Sequence, residues 1–349
     1  MSECNNKHQL PDGFKAAGVR CGIKQKGADL ALIYSEDDCS VAGVFTTNAF
    51  KAASIIVDQK KLGYGKARAV VANSGIANAC TGTQGLEDAQ RACELVAELA
   101  NISVETVYNA STGVIGQLLP MEKIEAGIRD AWESLSVDGI EQAEQAIMTT
   151  DTVPKISSYE VEYAGSKIKI TGIVKGSGMI CPNVATMLCF IMTDAQIESS
   201  LLQNMLSAGV ETSFNSLTVD GDTSTNDLVL VLANGRSKVK VESGSNIAEL
   251  FELGLSYILI DLAKQMAKDG EGATKYVEVR VVNAESYADA KSAAMTISNS
   301  PLVKTAIFGE DPNWGRVLCA AGRSQAKVIP QKASLYFGDV KIVENGESL

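Results

Sequence analysis

The chain has 349 residues, of which 46% are hydrophobic and 21% charged, with a net charge of −11. That length exceeds what one small core supplies, so two domains or one large layered unit is expected. The acidic balance argues against a nucleic-acid or anionic-membrane surface, which needs clustered Lys and Arg.

No stretch approaches the roughly eighteen apolar residues of a membrane span, and the N-terminus has neither a secretory nor a transit-peptide pattern. The eight cysteines are scattered without a CxxC pair. Reduced thiols and a cytoplasmic location are therefore expected.

Short apolar runs predict strands over 41–45, 53–57 and 69–72. A helix follows over 86–100, where Leu86, Ala89, Cys93, Val96 and Ala97 share a face, and another over 140–148. Strands over 159–163 and 167–174 lead into a loop containing Gly176, Gly178 and Pro182, then a buried strand over 187–192. Beyond it come a helix near 197–208, a strand over 228–232 and a long helix over 247–268, with Asn246 and Glu249 at capping-box spacing. A strand over 276–282, a helix over 288–298 and two short strands near Leu335 and Val340 complete the order. Mixed helix and strand without repeats or a long linker predicts an α/β fold of layered helices and sheets.

The only histidine is His8, in a polar tail. Ser-His-Asp triads, Cys-His dyads and HExxH zinc sites therefore lack a plausible imidazole. Any acyl chemistry needs another base, and an N-terminal amine is the obvious one. Thr186 stands where the glycine-loosened loop meets the buried strand, behind the small Ala185. It is either an ordinary buried strand threonine or a nucleophile that attacks the Ala185 carbonyl, breaks the chain there and frees its own amine as base. Such an amine has an ordinary pKa of about 7.7 to 8.0, and a nearby cation lowers it. Lys175 is the candidate cation.

The segment from Asn109 to Gly116 is either a plain turn or an oxyanion hole in which the Thr112 hydroxyl and the Gly113 N–H converge. Asp220, Asp222 and Ser224 have the spacing of the first ligands of a calcium loop, but position 231 is Val rather than Glu, so a polar loop bonded to its own backbone is the alternative. Glu271 follows Gly270, read as a helix C-cap glycine, and is either a solvated acid or the partner of a substrate ammonium. Asp311 to Arg316 reads as a turn opening a helix, with Trp314 packing.

Together the blocks 110–116, 148–155, 175–195, 219–227, 269–275 and 308–316 resemble, in order, the glutamate N-acetyltransferase/ornithine acetyltransferase family. The resemblance runs from about residue 13 to the end. It implies a layered α/β assembly of N-terminal-nucleophile-like type, self-cleaved into an α chain, 1–185, and a β chain, 186–349, that opens on the nucleophile Thr186. It implies ping-pong transfer of the acetyl group of N-acetylornithine to glutamate through acetyl-Thr186, releasing ornithine, in arginine biosynthesis. Thr112 and Gly113 become the oxyanion hole, and Thr152, Lys175, Thr186 and Glu271 substrate contacts; Thr149 and Thr150 stand beside Thr152. No cofactor or metal is implied, acetyl-CoA is a candidate co-substrate, and the two chains are expected to associate into a higher oligomer.

Three residues depart from the family pattern: Ile76, Cys181 and Val184. Family members also continue beyond Leu349, and that tail supplies an Asn and a Thr to the site. Two readings compete with the acetyltransferase: an amidohydrolase or aminopeptidase passing the acyl group to water, and a catalytically impaired binding protein.

Overall fold

A computed structural model describes residues 8–181 and 187–349, and the chain divides into two compact units. The first holds residues 8–217 and 222–271. Its elements, in chain order, are β1 (Phe14–Val19), β2 (Leu30–Phe45), α1 (Ala53–Lys61), β3 (Lys66–Ile76), α2 (Gly82–Ala100), β4 (Val107–Val114), α3 (Met121–Glu133) and α4 (Ile140–Ile147). After them come β5 (Ile156–Tyr163), β6 (Ser166–Lys175), β7 (Leu188–Thr193), β8 (Gln196–Ile197), α5 (Ser199–Thr212), β9 (Leu228–Ala233), β10 (Lys240–Val241) and α6 (Asn246–Lys268).

One sheet organises this unit. Its strand order is β4-β3-β2-β9-β7-β6-β5, with β1 added to β2. The β3–β4 and β7–β9 pairs are parallel and the rest antiparallel. Alternate residues of β2 and β3 serve opposite faces, as a pleated strand requires. Leu30, Leu32, Ala69 and Val71 pack with Cys93, Leu95 and Val96 of α2 and with Ile124 and Ile128 of α3. Ala31, Ile33, Val70 and Ala72 pack with Ile140, Ala143 and Ile147 of α4 and Ile55 of α1. Every residue of β7 and β9 is buried, which is why both read as unbroken apolar runs.

Close backbone packing sets α4 against β1. A Cβ on Gly18 would lie 1.9 Å from the Gln142 carbonyl oxygen, and one on Gly139 would lie 1.8 Å from that of Ala16.

The second unit holds residues 218–221 and 272–349. It contains α7 (Tyr287–Ser298), α8 (Pro301–Phe308), α9 (Trp314–Gly322) and a small antiparallel sheet of β11 (Leu335–Phe337), β12 (Val340–Glu344) and β13 (Glu347–Ser348). Ile297, Val303, Val317 and Ala320 form its core. Ser300 caps α8 through the Val303 N–H, with Pro301 opening the first turn. Asn313 caps α9, the helix that the 311–316 turn was expected to open.

Three expectations need correction. Residues 53–57 open helix α1 instead of forming a strand. Ala53, Ser54, Ile55, Asp58 and Lys61 are the buried positions, a helical spacing that the β-branched run Ile-Ile-Val obscures. Residues 276–282 pair with no strand among the described residues: Val279 reaches the small core while Tyr276, Val277 and Val282 are exposed. Alternation chose the inward side chain, but no edge receives the backbone. The cap of α6 is Ser245, which accepts from the Ala248 N–H, so Asn246 is the first helical residue. No helix among the described residues is long and apolar enough to cross a membrane.

Substituting Gly18 by Ala should lower stability by about 1–3 kcal/mol, the usual cost of overpacking, because the obstacle is backbone. Urea unfolding of the two proteins measures it.

Candidate active site

The expected oxyanion segment is not a turn but the end of strand β4, paired in parallel with β3. The two strands approach so closely at Gly75 and Gly113 that a Cβ on Gly113 would lie 2.2 Å from the Gly75 carbonyl carbon. Gly113 has φ +131, open to glycine and strained for other residues, and the ladder shifts register beside it at Ile76. The glycine pair thus bends the chain immediately after Thr112.

Thr112 is buried, and its hydroxyl accepts a hydrogen bond from Lys175 Nζ at 3.3 Å. A hydroxyl that accepts there keeps its proton to donate. Lys175 closes β6 and is 2% exposed. Burial pulls its ammonium below the ordinary lysine value, against the attraction of Asp151 and Asp227 and with the repulsion of Lys155 and Lys24.

A network absent from the sequence reading brings the other expected residues toward Lys175. Lys155 is fully buried, and its ammonium bridges Asp151 at 2.7 Å and Asp269 at 2.5 Å. Asp151 also accepts the Gly176 N–H at 2.6 Å, directly after Lys175. Asp269 accepts the backbone N–H of Thr152 at 3.0 Å and also its hydroxyl. The Asp269 carbonyl in turn accepts from Ser177 Oγ at 2.9 Å, and the Ser177 carbonyl accepts the Glu271 N–H at 2.9 Å. The exposed Glu271 lies over Gly178, where a Cβ would stand 2.3 Å from Glu271 Oε2.

Burial raises both Asp151 and Asp269, yet both sit below the ordinary carboxylate value. The Lys175 and Lys155 charges win at Asp151, and the Lys155 and Thr152 hydrogen bonds win at Asp269. Glu144 accepts the Lys155 N–H at 2.9 Å, and burial pushes its carboxyl up to about 7.

The stretch with calcium-loop spacing does something else. Asn226 donates its side-chain amide to the carbonyls of Ala77 and Ser111, each at 2.6 Å, and so ties the ends of β3 and β4 together just before Thr112. Asp227 accepts the Met187 N–H at 3.0 Å, and the Leu228 N–H continues the β7–β9 ladder to the Met187 carbonyl at 3.0 Å. Two adjacent residues therefore hold the chain beside Thr112 and the chain beside Thr186. Sequence offered one signal, a dense polar run ahead of a buried strand, without saying what it bonds. No group of three or more His, Cys, Asp or Glu able to hold a metal occurs among the described residues.

Thr186 and Ala185, with Val184, lie outside the described residues; Met187 is the next residue along. Thr112, Lys175, Thr152 and Glu271 are gathered around the ends of β4 and β6 as described. Ile76 packs its side chain with the α2–α3 core, and Asn73 donates to its carbonyl at 2.9 Å.

A model of the ArgJ family matches residues 15–349. The chain is 49% identical to the arginine biosynthesis bifunctional protein ArgJ of Caldanaerobacter subterraneus subsp. tengcongensis, over 99% of this chain and 87% of that protein. Its likeness to the protein of the same name from Thermotoga neapolitana is also 49%, over 97% and 87%. Among solved structures, ArgJ from Bacillus halodurans is 40% identical, covering 52% of this chain and 95% of that one with a TM-score of 0.48. Ornithine acetyltransferase from Mycobacterium tuberculosis, complexed with ornithine, is 36% identical, covering 52% and 97% with a TM-score of 0.45.

Replacing Lys155 with Met leaves two buried carboxylates without their shared cation and should cost about 3–5 kcal/mol at pH 7. Asp151 and Asp269 have depressed folded values, so their pairing stabilises above about pH 4 and fades as the pH falls through those values. The difference between wild type and variant should therefore narrow in acid, as urea unfolding across pH will show.

Proposed function

The chain belongs to the ArgJ family, and on that premise we propose that it is an acyltransferase of arginine biosynthesis, moving the acetyl group of N-acetylornithine to glutamate. The observation that carries this reading is the buried Lys175 ammonium on the Thr112 hydroxyl, at the end of a strand whose antiparallel neighbour begins at Leu188. It supplies an oriented hydroxyl donor and a cation at the end of β6, opposite Leu188, two residues after the one that the sequence singles out as nucleophile.

In this mechanism the Thr186 hydroxyl attacks the Ala185 carbonyl, the acyl group shifts from nitrogen to oxygen, and water hydrolyses the ester. The freed α-amine becomes the base. It takes the hydroxyl proton as the oxygen attacks the acetyl carbonyl of N-acetylornithine. The Thr112 hydroxyl and the Gly113 N–H receive the developing oxyanion. Ornithine leaves with the proton on its amine, and acetyl-Thr186 then passes its acetyl group to the amine of glutamate. The Lys175 charge favours the neutral, basic form of the Thr186 amine. Glu271, exposed at the mouth of the network, suits the side-chain ammonium of ornithine, and Thr152 and Lys175 complete the substrate contacts.

No cofactor takes part, and acetyl-CoA would enter as an alternative acetyl donor. The segments 1–185 and 186–349 would remain neighbours after cleavage, since β6 and β7 are paired from Ile170–Thr193 to Lys175–Leu188. Association of such cleaved pairs into a larger oligomer belongs to the same reading.

Intact-mass spectrometry before and after incubation with N-acetylornithine should give two fragments meeting at Ala185 and Thr186, with one acetyl gained on the second. Thr186→Ala should remain one uncut, inactive chain; two fragments from that variant would remove Thr186 from the nucleophile's role. Thr112→Ala should slow acetyl transfer by about 10²–10³-fold, and unchanged turnover would remove Thr112 from the oxyanion hole. Partition of the acetyl group between glutamate and water separates a transferase from a hydrolase.

A further inference from the structure

Helix α6 is apolar on more than the side that packs against the sheet. Phe251, Leu255, Ile258, Leu259, Leu262 and Met266 are buried. Ile258 and Leu262 press on Gly172 of β6, and Leu259 on Gly209 of α5. Yet Leu250, Leu253, Tyr257 and Ile260 stand exposed, Leu253 at 65% and Tyr257 at 51%. Single exposed apolar residues are ordinary. These four recur at intervals of three, four and three residues, which is the a/d seam of paired helices. A helix apolar nearly all round is built to be buried on both sides, and here the described residues cover only one. Tyr159 of the edge strand β5, its ring 5.1 Å from that of Tyr257, widens the patch.

The charges along the seam say what fits it. Glu249 and Glu252 flank its N-terminal end, and Lys264 and Lys268 its C-terminal end. Asp261, the one charged residue between them, accepts from Gln265 of the same helix at 2.9 Å. A parallel copy of this helix would set acid on acid, whereas an antiparallel copy sets each acidic end on a basic one. The two glutamates and the net charge of −11 make the patch a poor match for an anionic lipid surface.

We propose that this face of α6 docks a second copy of the chain, the two helices lying antiparallel about a two-fold axis. In that order Leu250 meets Ile260 of the second copy and Leu253 meets Tyr257 of the second copy, each contact occurring twice. Lys264 then falls beside Asn246 and Glu249 of the second copy. The face gives the association named above a surface. It does not depend on scission or acyl transfer, because α6 lies wholly within 186–349.

Sedimentation velocity of the full chain from about 1 to 100 μM should show a reversible doubling of mass. Leu253→Glu, a change at an exposed position, should raise the dissociation constant by about 10²-fold or more, since the symmetry counts it twice. Lys264→Glu should raise it about tenfold by setting like charges together. Adding Glu249→Lys to that variant should return it toward the wild-type value, which general destabilisation of the helix would not do. A wild-type chain of single mass throughout the range overturns the proposal. A dimer indifferent to Leu253→Glu also overturns it, and would place the association on another face. Failure of the double charge exchange to restore pairing overturns the antiparallel order. None of these results touches the acetyl-transfer reading, which fragment masses and turnover test separately.

Discussion

A lysine ammonium taken fully out of water has to be answered by carboxylates in good geometry, and Lys155 is answered twice. Asp151 comes from the turn before β5 and Asp269 from the end of α6, so the one cation ties a loop to a helix terminus. The same two acids then reach onward, Asp151 to Gly176 and Asp269 to Thr152. Lys175, buried at the end of β6, depends on this arrangement: its own charge is tolerated because Asp151 and Asp227 face it. Thr112, in turn, owes its hydroxyl orientation to Lys175. Remove the first ion cluster and the contacts of the candidate site residues lose their common reference.

Much of the first unit was legible in the sequence because its signals were local. The apolar runs of β7 and β9, the helical face of α2 and the long α6 follow from periodicity alone. The candidate residues Thr112, Lys175 and Glu271 also emerge from their blocks, once a resemblance ranks those blocks above ordinary turns. What could not be read is non-local. That Lys155 bridges residues four and 114 positions away, or that Asn226 bonds carbonyls 149 and 115 positions away, is written in no spacing. The helix α1 was missed for a related reason: its buried Asp58 looks polar and solvent-seeking until Asn109 supplies the hydrogen bonds that hold it inside.

The run from 219 to 227 does work that its spacing does not announce. Acidic and hydroxyl residues at alternate positions fit a cation loop, yet the contacts near the site are made by the last two residues of the run, the neutral Asn226 and the acidic Asp227. Asn226 staples the ends of two parallel strands, and Asp227 fastens the start of a third. Parallel strands align their carboxyl ends on one side of a sheet, and Thr112 and Gly113 lie among the last residues of the β3–β4 pair, which ends at Val114. The acyl chemistry proposed for this protein thus sits where topology gathers chain termini, and the polar dipeptide holds them in register.

The pairing of β6 with β7 has a consequence for the protein's history. As one continuous polypeptide, the chain brings these strands together across a short connection, and the encounter is independent of concentration. If the connection is cut as proposed, the same ladder joins two separate molecules. A matured protein that unfolds must then find its other half by diffusion, with no tether to favour the right register. Folding and scission would have to occur in that order, and renaturation yield would fall on dilution for the matured form but not for its uncut precursor.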